Sequence, residues 1–386
     1  MSTPVLVSKH FSASALNALK YPTPFILFDT ERVEKNYQNL RSALKNAQIF
    51  YALKANPDMV VARRLLDLGA SFEIASLNEL HLLRRVGVNP QDVMYSNPVK
   101  PASHIKGAFE LGLSRFAFDT SHELEKLAHF APGSSVYLRM AVNDKDSTFP
   151  LSKKFGADPQ DAVMLLKLAR ELGLKPYGLT FHVGSQSLNP NMWESAIAEA
   201  GTVMRKLQQE GITLEMLDIG GGFPADYGEE RPALQEIGDR IHLALQEYLP
   251  YPVTLAAEPG RSMIADAAVI AATVIGRADR GGKHWLYLDV GAFNGLMEPL
   301  ETANRFIYPM STSLDEREGV PMTPYTLTGP TCDTQDTIYY DFDLPANIEV
   351  GDRLYFHSAG AYTTAYASSF NGFGPPDVRY VDKRKD

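Results

Sequence analysis

The chain has 386 residues, and at about 150 residues per domain this length predicts two or three domains, or fewer if one is a large barrel. Hydrophobic residues make up 45% and charged residues 22%, which excludes low-complexity and collagen-like classes. Lys and Arg number 37 against 46 Asp and Glu, a formal net charge of -9. A chain this acidic, without a basic stripe, is not expected to bind nucleic acid.

The single cysteine, Cys332, excludes an internal disulfide and a cysteine-rich metal site, and it is typical of a reducing compartment. The first residues, MSTPVLVSKHF, lack the basic and then apolar regions of a secretory signal. The most apolar run, which begins at Ala267, is far shorter than the roughly 20 residues of a membrane span. We therefore expect a cytoplasmic protein that has no membrane partner and no metal site.

From Gln48 to Gly260, short β-rich runs alternate with longer segments of helical period. The predicted strands are IFYALK, which ends at Lys54, and residues 71–76, 93–97, 115–119, 135–140, 178–184, 216–222 and 254–260. Between them lie amphipathic segments such as 157–173, whose apolar residues recur at i, i+3 and i+4. Eight strands, each followed by a helix, predict an α/β fold, a closed (β/α)8 TIM barrel over residues 26–260. A doubly wound open sheet is the alternative, but it usually has fewer strands.

A second, all-β domain is expected from residues 261–386 together with residues 1–25. The runs WLYLDVG, YTLTGP, TIYYDFDL and RLYFHSAGAYT are rich in aromatic and β-branched residues and are divided by Gly/Pro turns. The first 25 residues precede the eight predicted strands and are assigned to the same side. No linker rich in Pro, Gly or Ser separates the two parts, so we expect them to pack tightly.

Polar residues or glycines stand at the ends of all eight predicted strands. They are Lys54, Glu73, Asn97, Asp119, Arg139, His182, Gly220 to Gly222, and Glu258 with Arg261 just beyond. The active site of a (β/α)8 barrel lies at the carboxyl ends of its strands, so these positions predict one site. A chance collection of surface residues is the alternative, and the recurrence over eight strands argues against it.

Lys54 ends a buried strand, where an unpaired ammonium is costly. A lysine that forms a Schiff base and a lysine that pairs with Glu73 are equally good readings. The run DIGGGFP (218–224) follows the seventh strand, where barrels commonly bind phosphate, and glycine N–H groups approach an anion unobstructed. A tight turn is the alternative, although Arg261 and Ser185 add two further donors around the same place.

The carboxylate of Glu258, in EPGR (258–261), suits a cofactor whose ring nitrogen must stay protonated, because protonation makes the ring a stronger electron sink. His182 is suited to stack on such a flat ring, although a lone histidine is more often a satisfied core residue. A Schiff-base lysine, a phosphate cradle and a ring-nitrogen carboxylate together describe pyridoxal 5'-phosphate (PLP).

The ordered motifs YALKAN, FHVGS, LDIGGGFP, AEPGR, GPTCD, GAYT and FNGF resemble those of the fold-type III PLP-dependent decarboxylases, the ornithine, diaminopimelate and arginine decarboxylase family. The bacterial lysine/ornithine type is the most similar. The resemblance runs from about Pro24 to Phe373, nearly the whole chain. It implies a PLP-binding barrel, a β-domain as in alanine racemase, and a head-to-tail homodimer with active sites at the interface.

Carried over by position, the resemblance gives roles to individual residues of the barrel. Lys54 is similar to the lysine that carries the cofactor, and His182 is similar to the residue that stacks on its ring. Glu258 is similar to the partner of the ring nitrogen, and Arg139 to an arginine that holds Glu73 and His182 in place. The residues that match phosphate ligands are Ser185, Gly221, Gly222, Arg261 and Tyr362.

Other matching residues are, by the same resemblance, supplied across the dimer. Cys332 and Asp333 are similar to a pair from the other subunit, the thiol as proton donor to the α-carbon and the carboxylate as a contact to the distal amine of the substrate. The segment LSKKFG (151–156) resembles a mobile loop. Its Lys154 is expected to reach Asp336 of the partner subunit.

Two departures from the family pattern bear on the substrate. Glu73 stands where eukaryotic ornithine decarboxylases usually carry Asp. After AFNG (292–295) the chain reads LMEPLE, where eukaryotic members have an aspartate that reads the distal amine and diaminopimelate decarboxylases have an arginine before proline. Glu298 is the nearest acidic candidate and Glu301 the second, and Tyr308 is placed with the substrate-binding residues. A glutamate attracts an ammonium and repels a carboxylate, so a basic diamino acid is expected.

The resemblance thus implies decarboxylation of L-ornithine to putrescine in polyamine biosynthesis, with L-lysine to cadaverine as a second activity. Arginine and carboxynorspermidine decarboxylases are alternatives, as is a non-catalytic regulatory binder. Retention of Lys54, Glu258, Cys332 and Asp333 argues against the binder, and the β-domain argues against a one-domain PLP-homeostasis protein. Ornithine and lysine differ by one methylene, worth only ~1–3 kcal/mol of discrimination, so both stay open.

Overall fold

A computed structural model describes residues 11–314 and 320–381 of the chain. Its strands are β1 (Phe25–Asp29), β2 (Gln48–Ala52), β3 (Ser71–Ile74), β4 (Val93–Tyr95), β5 (Arg115–Phe118), β6 (Ser135–Arg139), β7 (Ser147–Phe149), β8 (Lys175–Thr180), β9 (Ser185–Ser187), β10 (Met216–Asp218), β11 (Thr254–Ala257), β12 (Ala268–Arg280), β13 (Lys283–Leu288), β14 (Met310–Thr312), β15 (Met322–Thr328), β16 (Thr337–Pro345), β17 (Arg353–His357) and β18 (Asp377–Val381). Its α-helices are α1 (Ala13–Ala18), α2 (Thr30–Ala43), α3 (Met59–Asp67), α4 (Leu77–Arg85), α5 (Ala102–Glu110), α6 (Ser121–Phe130), α7 (Ala162–Glu171), α8 (Asn191–Gln209), α9 (Leu234–Tyr248), α10 (Arg261–Ile264) and α11 (Met297–Glu301).

Eight parallel strands close into a barrel in the order β10, β11, β2, β3, β4, β5, β6 and β8. Each of the eight segments predicted from the sequence supplies one of these strands. Helices alternate with the strands along the chain. The prediction of a (β/α)8 barrel, rather than a doubly wound open sheet, is therefore confirmed.

Several of the barrel helices begin at a side chain that caps their first backbone N–H groups. Asp58 accepts the N–H of Val60 at 2.8 Å before α3, and Ser76 accepts the N–H of Glu79 at 3.2 Å before α4. These caps satisfy donors that have no partner inside the helix. The residues between each strand end and its capped helix, Lys54 among them, therefore lie at the carboxyl end of the barrel.

The interior of the barrel changes character along the strands. One interior layer is apolar and consists of Phe50, Met94, Ala117, Tyr137, Met216 and Ala256. Side chains alternate between the two faces of a strand, so the next inward positions lie two residues further along. Those positions hold Ala52, Ser96, Asp119, Arg139, Asp218 and Glu258. All but the first are polar, and they stand at the carboxyl ends of the strands, where barrel active sites lie.

The second compact unit is largely β and contains, of the described residues, 11–33, 225–230, 264–314 and 320–381. Its sheet runs β14, β17, β12, β13, β15 and β16, with β1 beside β12 and β18 beside β1. The β-rich character predicted for the C-terminal part is confirmed. An apolar cluster of this unit includes Phe11, Leu16, Phe25, Val269 and Tyr355. Residues 1–10, 315–319 and 382–386 of the predicted β-domain lie outside the described residues.

The observed division of the chain differs from the predicted boundaries at 25/26 and 260/261. Strand β1 begins at Phe25 and pairs antiparallel with β12, with Phe25 opposite Ala271, and parallel with β18. Both neighbours of β1 thus belong to the β-domain, which draws the chain into that unit as far as Val33. In the described ranges, no helix has the length and apolar character needed to cross a lipid bilayer.

Candidate active site

Lys54 and Glu73 lie side by side at the ends of two neighbouring barrel strands. Ala52 of β2 is paired with Glu73 of β3, and Lys54 follows in the short 3-10 turn after β2. Lys54 Nζ lies 2.7 Å from Glu73 Oε2, and the lysine side chain is 41% exposed while that of the glutamate is 2% exposed. The pairing of Lys54 with Glu73, one of the two readings of this lysine that the sequence allowed, is therefore present. It leaves the amine accessible to a carbonyl compound and puts a carboxylate within reach of its proton.

The glycine loop after β10 is packed against the backbone of neighbouring strand ends. A Cβ atom on Gly221 would lie 2.6 Å from the carbonyl oxygen of Glu258 and 3.1 Å from Nε2 of His182. Gly220 and Gly222 have φ angles of +63° and +95°, a region that favours glycine. No larger residue fits here without displacing the strand ends. This loop is more closely constrained than an ordinary turn, and its backbone lies directly beside two of the predicted site residues.

Arg261 and Ser185 are brought together on the same side of the barrel. Arg261 Nε donates to Ser185 Oγ at 3.0 Å, and the guanidinium carbon lies 4.8 Å from the ring centre of Phe149. The arginine is buried. A buried guanidinium beside a hydroxyl offers a phosphate group both positive charge and hydrogen-bond donors. Tyr362, the remaining predicted phosphate ligand, belongs to the β-domain and has a φ of +55°.

His182 is a partly buried, neutral imidazole. Its Nδ1 accepts the backbone N–H of Gly184 at 3.1 Å, so the ring proton is on Nε2. Burial, followed by the positive charges of Arg139 and Lys54, lowers the pKa of His182 well below its ordinary value. Arg139 is partly buried, with its guanidinium carbon 5.4 Å from the ring centre of Phe155. A neutral planar ring fixed in this way is suited to stack on a flat cofactor.

Glu258 has polar neighbours that the sequence reasoning did not identify. Ser96 Oγ donates a hydrogen bond to Glu258 Oε1 and lies 2.8 Å from the hydroxyl of Tyr137. Burial, followed by the negative charges of Asp218 and Glu73, raises the pKa of Glu258 well above its ordinary value. These effects favour the protonated form of the carboxyl group. Side chains alternate between the two faces of a strand, and this alternation places Ser96, not Asn97, inside the barrel after β4. Applied strictly to the sequence, it would have identified Ser96.

In the β-domain, Glu298 and Tyr308 form a buried pair. Glu298 lies in α11, its side chain is buried, and its Oε2 accepts the hydroxyl of Tyr308 at 3.2 Å. The backbone N–H of Tyr308 donates to the hydroxyl of Tyr339 at 2.8 Å. Glu301, the second acidic candidate, is exposed. Of the two glutamates, Glu298 is thus the one whose charge acts in a low-dielectric environment.

Cys332 and Asp333 occupy an exposed turn between β15 and β16 of the β-domain. Cys332 Sγ lies 3.3 Å from Oδ1 of Asn371, which also accepts the backbone N–H of Cys332 at 3.2 Å. On either side of Asn371 in the sequence, Phe370 and Phe373 are 46% and 40% exposed. The thiol and the carboxylate therefore lie on a surface that also presents aromatic side chains.

The expected reach of Lys154 to Asp336 of the partner subunit is corrected by the position of this aspartate. Asp336 is fully buried, and its carboxylate accepts the N–H groups of Ala292 at 2.8 Å and Thr331 at 3.1 Å. It holds the turn around Cys332 in shape and is not offered to a second chain. The Lys154 ammonium lies 5.0 Å from the ring centre of Phe155 in its own loop.

The described residues contain no cluster of three or more His, Cys, Asp or Glu side chains suited to bind a metal ion.

Residues 30–265 match a family model described as the pyridoxal-binding domain of pyridoxal-dependent decarboxylases. The chain is 36% identical over 360 residues to a lysine/ornithine decarboxylase of Selenomonas ruminantium. The aligned region covers 92% of this chain and 89% of that protein.

Two solved structures are similar over nearly their whole length. A lysine/ornithine decarboxylase from Vibrio vulnificus, complexed with putrescine, has a TM-score of 0.87 and 34% identity, and covers 98% of this chain and 99% of that chain. The Paramecium bursaria Chlorella virus arginine decarboxylase has a TM-score of 0.89 and 30% identity, and covers 96% and 100%. The chain described here therefore belongs to the fold-type III pyridoxal-dependent decarboxylases and is a PLP-dependent carboxy-lyase.

Proposed function

We propose that the protein decarboxylates L-ornithine to putrescine, with L-lysine to cadaverine as a second activity. The observation that carries the choice of substrate is the buried carboxylate of Glu298, held by the Tyr308 hydroxyl. In a low-dielectric environment a carboxylate attracts an ammonium and repels a second carboxylate, which disfavours diaminopimelate. The lysine/ornithine decarboxylase relatives and the putrescine-bound structure support the same substrate class.

The residues at the carboxyl ends of the barrel strands fit PLP. In this proposal Lys54 attaches the cofactor, the neutral ring of His182 stacks on it, and Glu258 holds a proton against its ring nitrogen. Glu73 and Arg139 keep Lys54 and His182 in place. The proposed phosphate ligands are Ser185, Gly221, Gly222, Arg261 and, from the β-domain, Tyr362. When bound, PLP supplies an electron sink for the electrons that remain after the α-carboxylate leaves.

We infer that the active form is a homodimer in which the partner subunit's Cys332 and the partner subunit's Asp333 complete each site. The thiol proton would be delivered to the α-carbon, and Asp333 would contact the distal ammonium. Three observations support this arrangement. The thiol is exposed, it is oriented by Asn371, and exposed aromatic side chains lie beside it in the sequence. A thiol carries a proton that it is able to donate.

The proposed location is the cytoplasm. The role given to Cys332 requires a free thiol, and a reducing compartment keeps it so. Fractionation of source cells, followed by immunodetection of the protein, would check this. Recovery in an oxidising compartment would contradict the proposed location but not the proposed reaction.

One assay tests the substrate. The purified protein, reconstituted with PLP, is incubated separately with ornithine, lysine, arginine and diaminopimelate, and the amine products and CO₂ are measured. We expect the highest kcat/KM with ornithine, a lower value with lysine, and none with diaminopimelate. Arginine decarboxylation is the second candidate, favoured by the similarity to the viral arginine decarboxylase. If agmatine were the main product, arginine rather than ornithine would be the substrate, and the reaction would still be a decarboxylation.

A further inference from the structure

A chain of buried hydrogen-bonding groups extends on both sides of the Glu258 carboxyl. On one side, Asp218 accepts the Thr180 hydroxyl at 2.7 Å and the N–H of Gly220 at 2.9 Å. On the other side, Ser96 donates to Glu258 and is itself hydrogen-bonded to Tyr137. The side chains of all these residues are buried. Two carboxyl groups are thus buried close together inside the barrel.

The strand register explains why Asp218 and Glu258 meet. Strands β10 and β11 run parallel, with Asp218 paired with Ala256. Glu258 lies two residues beyond Ala256, on the same inward face, and its backbone N–H donates to the carbonyl of Gly220 at 2.8 Å. The two side chains are both buried in this part of the barrel. Two buried carboxyl groups on neighbouring strand ends disfavour each other's ionised form.

The two carboxyl groups differ in the donors that the fold supplies. Asp218 receives a hydroxyl and a backbone N–H, whereas Glu258 receives the Ser96 hydroxyl. Hydrogen bonds to a carboxylate stabilise its ionised form, so the negative charge is favoured on Asp218. Two adjacent buried carboxylates cannot both ionise at low cost, so the pair retains a proton. That proton is left on Glu258.

We propose that Asp218 and Glu258 act as one carboxyl pair that holds a single proton on Glu258, with Asp218 as the positioning residue that keeps it there. This inference rests on the role proposed above for Glu258 at the ring nitrogen. Transfer would break the O–H bond of Glu258 and form an N–H bond on the ring, leaving both carboxylates ionised beside a cation. The proton at the ring nitrogen then comes from the protein rather than from water.

The charges around the pair agree with this assignment. Burial raises the pKa of Asp218 to about 6, and burial together with Asp218 and Glu73 raises the pKa of Glu258 well above its ordinary value. The cations that face the pair, Lys54 and Arg139, oppose the rise at Glu258 only in part. The rise is larger at Glu258 than at Asp218, which favours the proton on Glu258.

Infrared difference spectroscopy of the cofactor-free protein, labelled with ¹³C-glutamate, tests the proposal at pH 7. We expect a carbonyl band of protonated glutamic acid that disappears in Glu258→Gln. It should be lost in Asp218→Asn, because the charge that holds the proton is gone, and kept in Asp218→Glu. Ser96→Ala is the matched control within the same network, since loss of a donor to Glu258 leaves its proton in place. Asp289→Asn, at a partly buried carboxylate of the β-domain, controls for the removal of a carboxylate outside the pair.

A second measurement needs no variant. In wild-type protein labelled with ¹³C-aspartate, an aspartic acid band should appear as the pH falls through about 6, while the glutamic acid band is already present. Proton uptake on PLP binding, measured by calorimetry in buffers of different ionisation enthalpy, should rise by about one proton in Asp218→Asn relative to wild type. Absence of the glutamic acid band at pH 7, or its persistence in Asp218→Asn, would overturn the proposal. Neither measurement depends on turnover of a substrate. A negative result in the ornithine assay would therefore not affect the test of the carboxyl pair.

Discussion

Lys54 Nζ lies 2.7 Å from Glu73 Oε2, in a pair of which the lysine is half exposed and the glutamate is buried. The glutamate is fixed in β3 by the register that sets Ala52 opposite Glu73, so the lysine is the mobile member. Because Glu73 is buried, removal of the positive charge at Lys54 would leave a buried carboxylate without its partner, which is destabilising. The pair therefore orients the amine, whose side chain stays partly exposed.

The first prediction concerns Lys54. Borohydride reduction of the yellow holoprotein should label the peptide that contains Lys54. Lys54→Ala should lose the yellow colour of the bound cofactor together with nearly all activity. Lys153→Ala, an exposed lysine of the 151–156 loop, is the control and should behave as wild type. A label on another lysine would show that Lys54 does not attach the cofactor.

The second prediction concerns the shared sites. Lys54→Ala and Cys332→Ala should each be nearly inactive alone. After mixing and subunit exchange, random pairing in a two-fold dimer should restore about one quarter of wild-type activity, because half the dimers are mixed and each has one intact site. Subunit exchange is verified by native mass spectrometry. No recovery after verified exchange would place both residues in the same chain's own site.

The third prediction concerns substrate choice. Glu298→Gln should reduce kcat/KM for ornithine by tens- to thousands-fold, because removal of one partner of a buried charge pair costs ~2–5 kcal/mol. PLP affinity should hardly change, since Glu298 is not assigned to the cofactor. Glu301→Gln, an exposed neighbour on the same helix, is the matched control. Near wild-type kinetics of Glu298→Gln with every amino acid tested would remove Glu298 from the substrate site.

The fourth prediction concerns pH. His182 is neutral in the folded protein because burial, Arg139 and Lys54 lower its pKa, whereas in the unfolded chain it binds a proton near pH 6.5. The unfolded state then binds more protons than the folded state, so stability falls as the pH drops below about 6.5. Between pH 7 and pH 5 this residue should account for about 2 kcal/mol of lost stability.

Urea unfolding of the wild type and His182→Gln at the two pH values measures this difference. His182→Gln should lose less stability between pH 7 and pH 5, even if it is less stable at pH 7. His122→Gln, whose side chain is 82% exposed, should show the wild-type pH dependence. An equal loss in His182→Gln and wild type would mean that the histidine does not stay neutral in the folded protein.

The sequence by itself determined the eight strands and the polar residues that end them. Each strand is a short apolar run next to an amphipathic helix, and both patterns are local, so they are legible without tertiary structure. The glycine loop is also a local pattern, because three consecutive glycines predict a close approach of the backbone to its neighbours. Gly221 makes this approach with Glu258 and His182. The ordered motifs identified the family and its cofactor for the same reason.

Only the tertiary structure decided which groups meet. Side-chain direction selects Ser96 instead of Asn97 beneath Glu258, and the register of β10 with β11 brings Asp218 to the same carboxyl. Burial withdraws Asp336 from any second chain, although its sequence context resembles that of the exposed Asp333. Burial and pairing of this kind depend on strands far apart in the chain. No local pattern of residues carries that information, because the free energy that fixes it is gained only when the barrel closes.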